Sequence, residues 1–184
     1  MSFFESIRIN NTEEVDVKHL FYYQIARHSL EDAKKVSEKN TENDSIPHLS
    51  NSIEIQQQLH VSVLFFYLTI ESYINFYAVK NDIKNREELE KKPTKEKWKK
   101  YPKLKTEKPL TTTYIELLNG NLERLKEKRN SLIHHKPRLI GSEPDFAFLS
   151  ISIEECEEYY QAIKDLMHEL KKIDADASID WINK

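Results

Sequence analysis

Apolar residues return at three- and four-residue steps through most of the chain, the period of helices that each bury one face. Residues 15–37 carry Val17, Leu20, Phe21, Ile25 and Leu30 on one broad face and predict a first helix. Residues 53–79 carry the stripe Ile55, Leu59, Val63, Phe66, Ile70, Ile74 and Tyr77; the middle of this stretch is apolar nearly all round, which marks a central core helix. Ile115, Leu118, Leu122 and Leu125 predict a helix over 112–133, bent at Asn119 and Gly120. The last helix opens with Ser152, followed three residues later by Glu155, a spacing at which hydroxyl and carboxylate cap free backbone N–H groups, and it runs to about residue 172. Between these elements, residues 40–50 read as a loop through Asn43, Asp44, Ser45 and Pro47. Residues 82–109 are polar and interrupted by Pro93, Pro102 and Pro109, leaving room for one or two short helices or loops. Residues 136–150 hold Pro137, Gly141 and Pro144 and read as a loop, with a short extended piece at 146–151. No internal repeat or low-complexity tract interrupts this order.

Composition points the same way. Two glycines and six prolines leave little material for the turns of an all-β fold, so the expected class is all-α. With 39% hydrophobic and 32% charged residues the chain has the balance of a globular protein, not a disordered one. Its 184 residues suit one domain over 1–184, with a core at 15–172 and a flexible basic connector at about 82–109. The single Cys156 excludes an internal disulfide and a multi-cysteine zinc site, and fits a reducing compartment. Residues 1–6 lack the basic-then-apolar layout of a signal peptide, and the most apolar run, 61–70, is too short to span a bilayer. The expectation is a cytoplasmic protein with no membrane partner.

Charge is distributed unevenly around a net of -3. Residues 91–108 carry nine lysines against Glu96 and Glu107, whereas residues 142–184 carry eleven acids against four lysines. Lys95, Lys97, Lys99, Lys100 and Lys103, interleaved with Trp98 and Tyr101, could follow a phosphate backbone and stack on bases. The same composition also suits a solvated connector between helices.

Two positions break the hydrophobic pattern. After Ile115, Leu118, Leu122 and Leu125, the next slot on the seam is Arg129, followed by Leu132. Burying a guanidinium costs several kcal/mol unless it is paired or solvated through a cleft, although its head can also snorkel out to water. On the central helix, Glu71 and Asn75 lie one turn apart within an aromatic and aliphatic surround; a carboxylate there calls for a cation, with Arg129 or Arg27 as the candidates. A solvated edge or an interhelix hydrogen bond accounts for the pair equally well. Asn130 and His134 share a helical face, and Arg129 reaches the same cleft. Histidine can move the proton of a 2′-hydroxyl or a leaving oxygen, arginine can stabilise a developing phosphorane, and asparagine can orient either.

The run LKEKRNSLIHHKP at residues 125–137 resembles the signature of the HEPN superfamily, in which an arginine and a polar residue precede a histidine at the end of a late helix. The run VLFFYLTIESYIN at residues 63–75 resembles the core helix of many members, and the two segments with their connection cover roughly residues 53–137. The resemblance implies an antiparallel four- to five-helix bundle of HEPN type, with a loop insertion before the last long helix, that dimerises so that both motifs face a shared cleft. It implies a metal-independent endoribonuclease that uses no cofactor, with RNA as substrate and roles in toxin-antitoxin or antiphage systems, where a cognate antitoxin or defence-system protein would be a partner. By carry-over Arg129, Asn130 and His134 form the catalytic set. His135 also satisfies the family spacing, and Glu71 and Asn75 would support Arg129.

Other members of that family serve as non-catalytic interaction modules, so a helical dimerisation or interaction domain is the competing expectation. A metal hydrolase fits poorly, because the adjacent His134 and His135 cannot readily bind one ion. Glycine-rich nucleotide loops are excluded by the presence of only Gly120 and Gly141.

Overall fold

The computed structural model describes residues 6–9, 13–16, 18–42, 49–133 and 150–183. The fold is all-α, preceded by a small antiparallel ribbon in which β1 (Ser6–Ile9) pairs with β2 (Glu13–Asp16) in the register Ser6 opposite Asp16. The helices are α1 (Lys18–Glu42), α2 (Leu49–Lys80), α3 (Arg86–Glu90), α4 (Thr94–Thr106), α5 (Thr112–Asn119), α6 (Asn121–Ile133) and α7 (Ile153–Ile173), and a 3-10 turn at Asp180–Asn183 follows. The 32-residue α2 is the hub, with α1, α4, α6 and α7 all packed on it. Its predicted stripe is largely realised: Leu59, Val63, Phe66, Ile70, Ile74 and Tyr77 are buried. By length and composition alone its segment Ser52–Lys80, with a mean hydropathy of 1.2, could cross a membrane. In this fold that segment serves as the core helix.

Helix α1 departs from the expectation at its start and on its buried face. Val15 belongs to β2, and the helix begins at Lys18. Its buried seam is His19, Tyr23, Ala26, Leu30 and Ala33, while Phe21 is exposed. Close approach of α2 explains the shift: the Ser62 hydroxyl donates to the Ala26 carbonyl at 2.9 Å, a contact that a large side chain at position 26 would prevent. Tyr23 tolerates burial because its hydroxyl donates to the Ile182 carbonyl at 2.9 Å.

The polar segment 82–109 is exposed over most of its length, but it is helical in two stretches and packs part of α4 against α2. Helix α4 buries Trp98 and Tyr101, and the Trp98 Nε1 donates to the Ile70 carbonyl of α2 at 3.1 Å. Pro102 lies inside α4 and has no N–H to offer the Trp98 carbonyl four residues back. Tyr114 of α5 fills that role, its hydroxyl donating to the same carbonyl at 2.9 Å. The bend at Gly120 is a full break between α5 and α6, with φ -94° and ψ -104° at that residue. Helix α7 starts as expected, the Ser152 side chain accepting from the Glu155 backbone N–H.

The core extends past the expected limit of residue 172. Ala177, Ile179, Trp181 and Ile182 are buried, and Asp174 accepts the Tyr77 hydroxyl hydrogen bond at 2.7 Å. The path back to α7 is anchored at Ile151, whose backbone N–H and carbonyl are both held by the Gln56 side chain, at 3.0 and 2.9 Å.

Candidate functional site

The break at Gly120 re-aims the chain so that α6 packs Leu122 and Leu125 against the core. Glu123, Lys126 and Arg129 then follow at three-residue steps along the flank of α6 beside α2 and α4. Arg129, the apparent misfit in the leucine seam, is half-buried and rests on an aromatic surface: its guanidinium carbon lies 5.2 Å from the centre of the Tyr67 ring. Its Nη1 donates to the Asn130 Oδ1 at 3.0 Å, so the two adjacent motif residues are in contact.

Tyr67 is held from beneath. Its hydroxyl donates to the Thr94 Oγ1 at 3.2 Å, and the Thr94 hydroxyl donates to the Glu71 Oε1 at 3.1 Å. The expected ion pair of Glu71 with Arg129 or Arg27 is therefore replaced by a hydroxyl partner, while Arg27 lies 3.4 Å from Glu31 on its own helix. Glu71 is only half-buried, so solvent supplies what a cation would have supplied in a closed core. Asn75 is equally engaged: its Oδ1 accepts from the Lys97 Nζ at 3.0 Å.

The residues expected to bind RNA divide into three groups. Lys97 and Trp98 are buried against α2 and Tyr101 is buried as well, which removes the two rings as stacking platforms and Lys97 as a phosphate contact. Lys100 and Lys103 are exposed on the outer side of α4, and Lys99 lies near Glu96 at 4.0 Å. Lys95 points across to α6, where its Nζ donates to the Glu123 Oε2 at 3.0 Å; the other oxygen of the same carboxylate accepts from the Lys126 Nζ at 2.6 Å. The bonds from Lys126 and Lys95 hold the Glu123 carboxyl below its usual value, and the bond to Glu123 holds the Lys126 ammonium above its own.

His134 and His135 lie outside the described residues, as does all but the last residue of the loop expected at 136–150, and the last described turn of α6 ends at Ile133. Among the described residues, no three of His, Cys, Asp and Glu gather where they could hold a metal ion. Tyr67, Thr94, Glu123 and Lys126 belong to the site but did not stand out as chemistry in the sequence. For Glu123 and Lys126 the three-residue spacing with Arg129 was the one visible signal; Tyr67 and Thr94 gave none. Compared with protein-family models, curated proteins and solved structures, the chain matches none.

Proposed function

We propose that this protein is a metal-independent endoribonuclease of HEPN type, acting in the cytoplasm as a homodimer whose cleft carries both copies of the Arg129, Asn130 and His134 motif. The observation that carries this reading is Arg129: a charged group at a seam position, seated on the Tyr67 ring with one donor committed to Asn130. Five N–H donors in a planar fork leave the guanidinium able to bind a phosphate while it keeps the Asn130 bond. His134 then moves the proton of the attacking 2′-hydroxyl, and Arg129 offsets charge on the phosphorane. The products are a 2′,3′-cyclic phosphate and a 5′-hydroxyl. A cognate antitoxin or defence-system partner would restrain such an activity.

Wild type is to be expressed beside Arg129→Ala and His134→Ala, with growth and RNA integrity followed with and without chelator. Growth arrest and RNA fragmentation that survive chelation but vanish in both variants support the reading. Equal RNA fragmentation in all three proteins sinks it.

A non-catalytic helical interaction module is the second reading. It is favoured by the bonds of Glu71 to Thr94 and Asn75 to Lys97, which tie α2 to α4 and leave neither side chain aimed at Arg129. That reading expects Arg129→Ala to cost about 0.5–2 kcal/mol of stability, the range of a cation–π contact, with no RNA cleavage to lose.

A further inference from the structure

The flank of α6 before the motif holds an arrangement that the proposed reaction does not use. A single carboxylate, Glu123, holds two ammonium groups from two helices, one on each oxygen: Lys95 of α4 and Lys126 of α6. Within direct hydrogen-bond reach one carboxylate thus faces two ammonium groups, and Glu127, the further acid that acts on Lys126, makes no hydrogen bond to either. Each ammonium has three donors and spends one on Glu123, leaving others for a ligand. The side chains of Lys95 and Lys126 are 27% and 36% exposed, which puts them at an open rim and not in the core.

Tyr67 links this rim to the motif. It lines a cavity of about 20 Å³ together with Lys95, Glu123 and Lys126, and its ring carries the Arg129 guanidinium. A space of that size admits a water molecule and no phosphate, so an anion would lie across the mouth and meet the cations from outside. Among the described residues the opposite flank of α6 offers no comparable surplus: Arg124 is paired with Glu158 at 3.0 Å, and Lys128 donates to the Ser150 carbonyl at 2.9 Å beside Glu155.

We propose that Lys95, Lys126 and Arg129 form a ledge for the backbone of single-stranded RNA, with Lys95 and Lys126 taking the phosphate next to the one held at the motif. Glu123 separates the two ammonium groups in the empty protein and competes with the incoming phosphate. The proposal rests on RNA being the substrate, and it adds the subsite beside the reacting phosphate.

A short single-stranded oligonucleotide with 2′-O-methyl groups throughout lacks the attacking hydroxyl, so its binding can be read apart from cleavage. Its affinity is measured by fluorescence anisotropy between about 50 and 200 mM salt, where each neutralised phosphate contributes about 0.7 to the log–log slope. Lys95→Gln and Lys126→Gln are each expected to weaken binding about five-fold, and the double variant, which leaves their shared phosphate unneutralised, to flatten the slope by about 0.7. Glu123→Gln removes the competing charge and is expected to tighten binding. A salt bridge that only braced α4 against α6 would make Glu123→Gln weaken binding as the lysine variants do.

No binding by wild type, an unchanged slope in the double lysine variant, or weaker binding by Glu123→Gln overturns the ledge. Binding of inorganic phosphate alone, without the oligonucleotide, overturns it as well and marks a small-anion site. If the oligonucleotide results hold while wild type leaves RNA intact, the ledge stands and the nuclease reading falls. If RNA is cleaved while the double variant's slope stays unchanged, the reverse is true.

Discussion

Acidification should weaken this protein through His19 before its carboxylates are protonated. The ring is buried against Tyr73, Phe76 and Trp181, with centroids 5.1, 4.9 and 5.1 Å away, and its Nδ1 has no hydrogen-bond partner among the described residues. Burial pushes its pKa down from 6.5 to about 3. The unfolded chain binds a proton there at the ordinary value, while the folded chain stays neutral. Folding stability is therefore fully present above pH 6.5 and falls as the pH drops from 6.5 towards 3. Each pH unit in that window removes about 1.4 kcal/mol, so moving from pH 7 to pH 5 removes about 2 kcal/mol. That is a large share of the roughly 5–15 kcal/mol that holds a typical domain together. Urea denaturation of wild type and His19→Phe at pH 7, 6 and 5 measures it, phenylalanine being an aromatic ring that does not titrate. Wild type should lose about 2 kcal/mol more than the variant over this range. Parallel loss in the two proteins would show that the ring is not held neutral by burial.

Two further perturbations test the packing beneath the site. Trp98→Ala should cost about 3–5 kcal/mol in chemical denaturation, because it empties the space between α4 and α2; a ring that served as an exposed base platform would show a change in RNA affinity alone. Tyr114→Phe keeps the ring but strands the Trp98 carbonyl that Pro102 cannot serve, so the midpoint should fall by an amount equal to about 1–3 kcal/mol.

The helical class, the central α2, the break at Gly120 and the cap at Ser152 were legible in the sequence because each has a local cause: apolar period, a residue without a side chain, and a hydroxyl three residues before an acid. The face of α1 was not, because small and polar residues form it. Ala26 lies there because α2 comes close, and Tyr23 because Ile182 offers a carbonyl 159 residues away. The basic segment misled for a related reason. Lysine and tryptophan in alternation look like an open surface, but Lys97 and Trp98 find partners on α2, at Asn75 and Ile70, that only the folded chain supplies. Within the site, Arg129 was conspicuous as a charge in an apolar seam, whereas its seat on Tyr67 depends on how α6 meets α2.

The placement of the two tryptophans gives the protein a built-in optical gauge. Trp98 and Trp181 flank the same ring, Tyr73, with centroids 5.8 and 5.6 Å away, yet one belongs to α4 and the other to the terminal 3-10 turn. A Trp98→Phe protein therefore emits from Trp181 alone. A red shift of that emission during mild warming or dilute urea, ahead of the main transition, would time the peeling of the terminal turn separately from the melting of the bundle. Without a dye or an added label, the order in which this fold comes apart can be read from its own fluorescence.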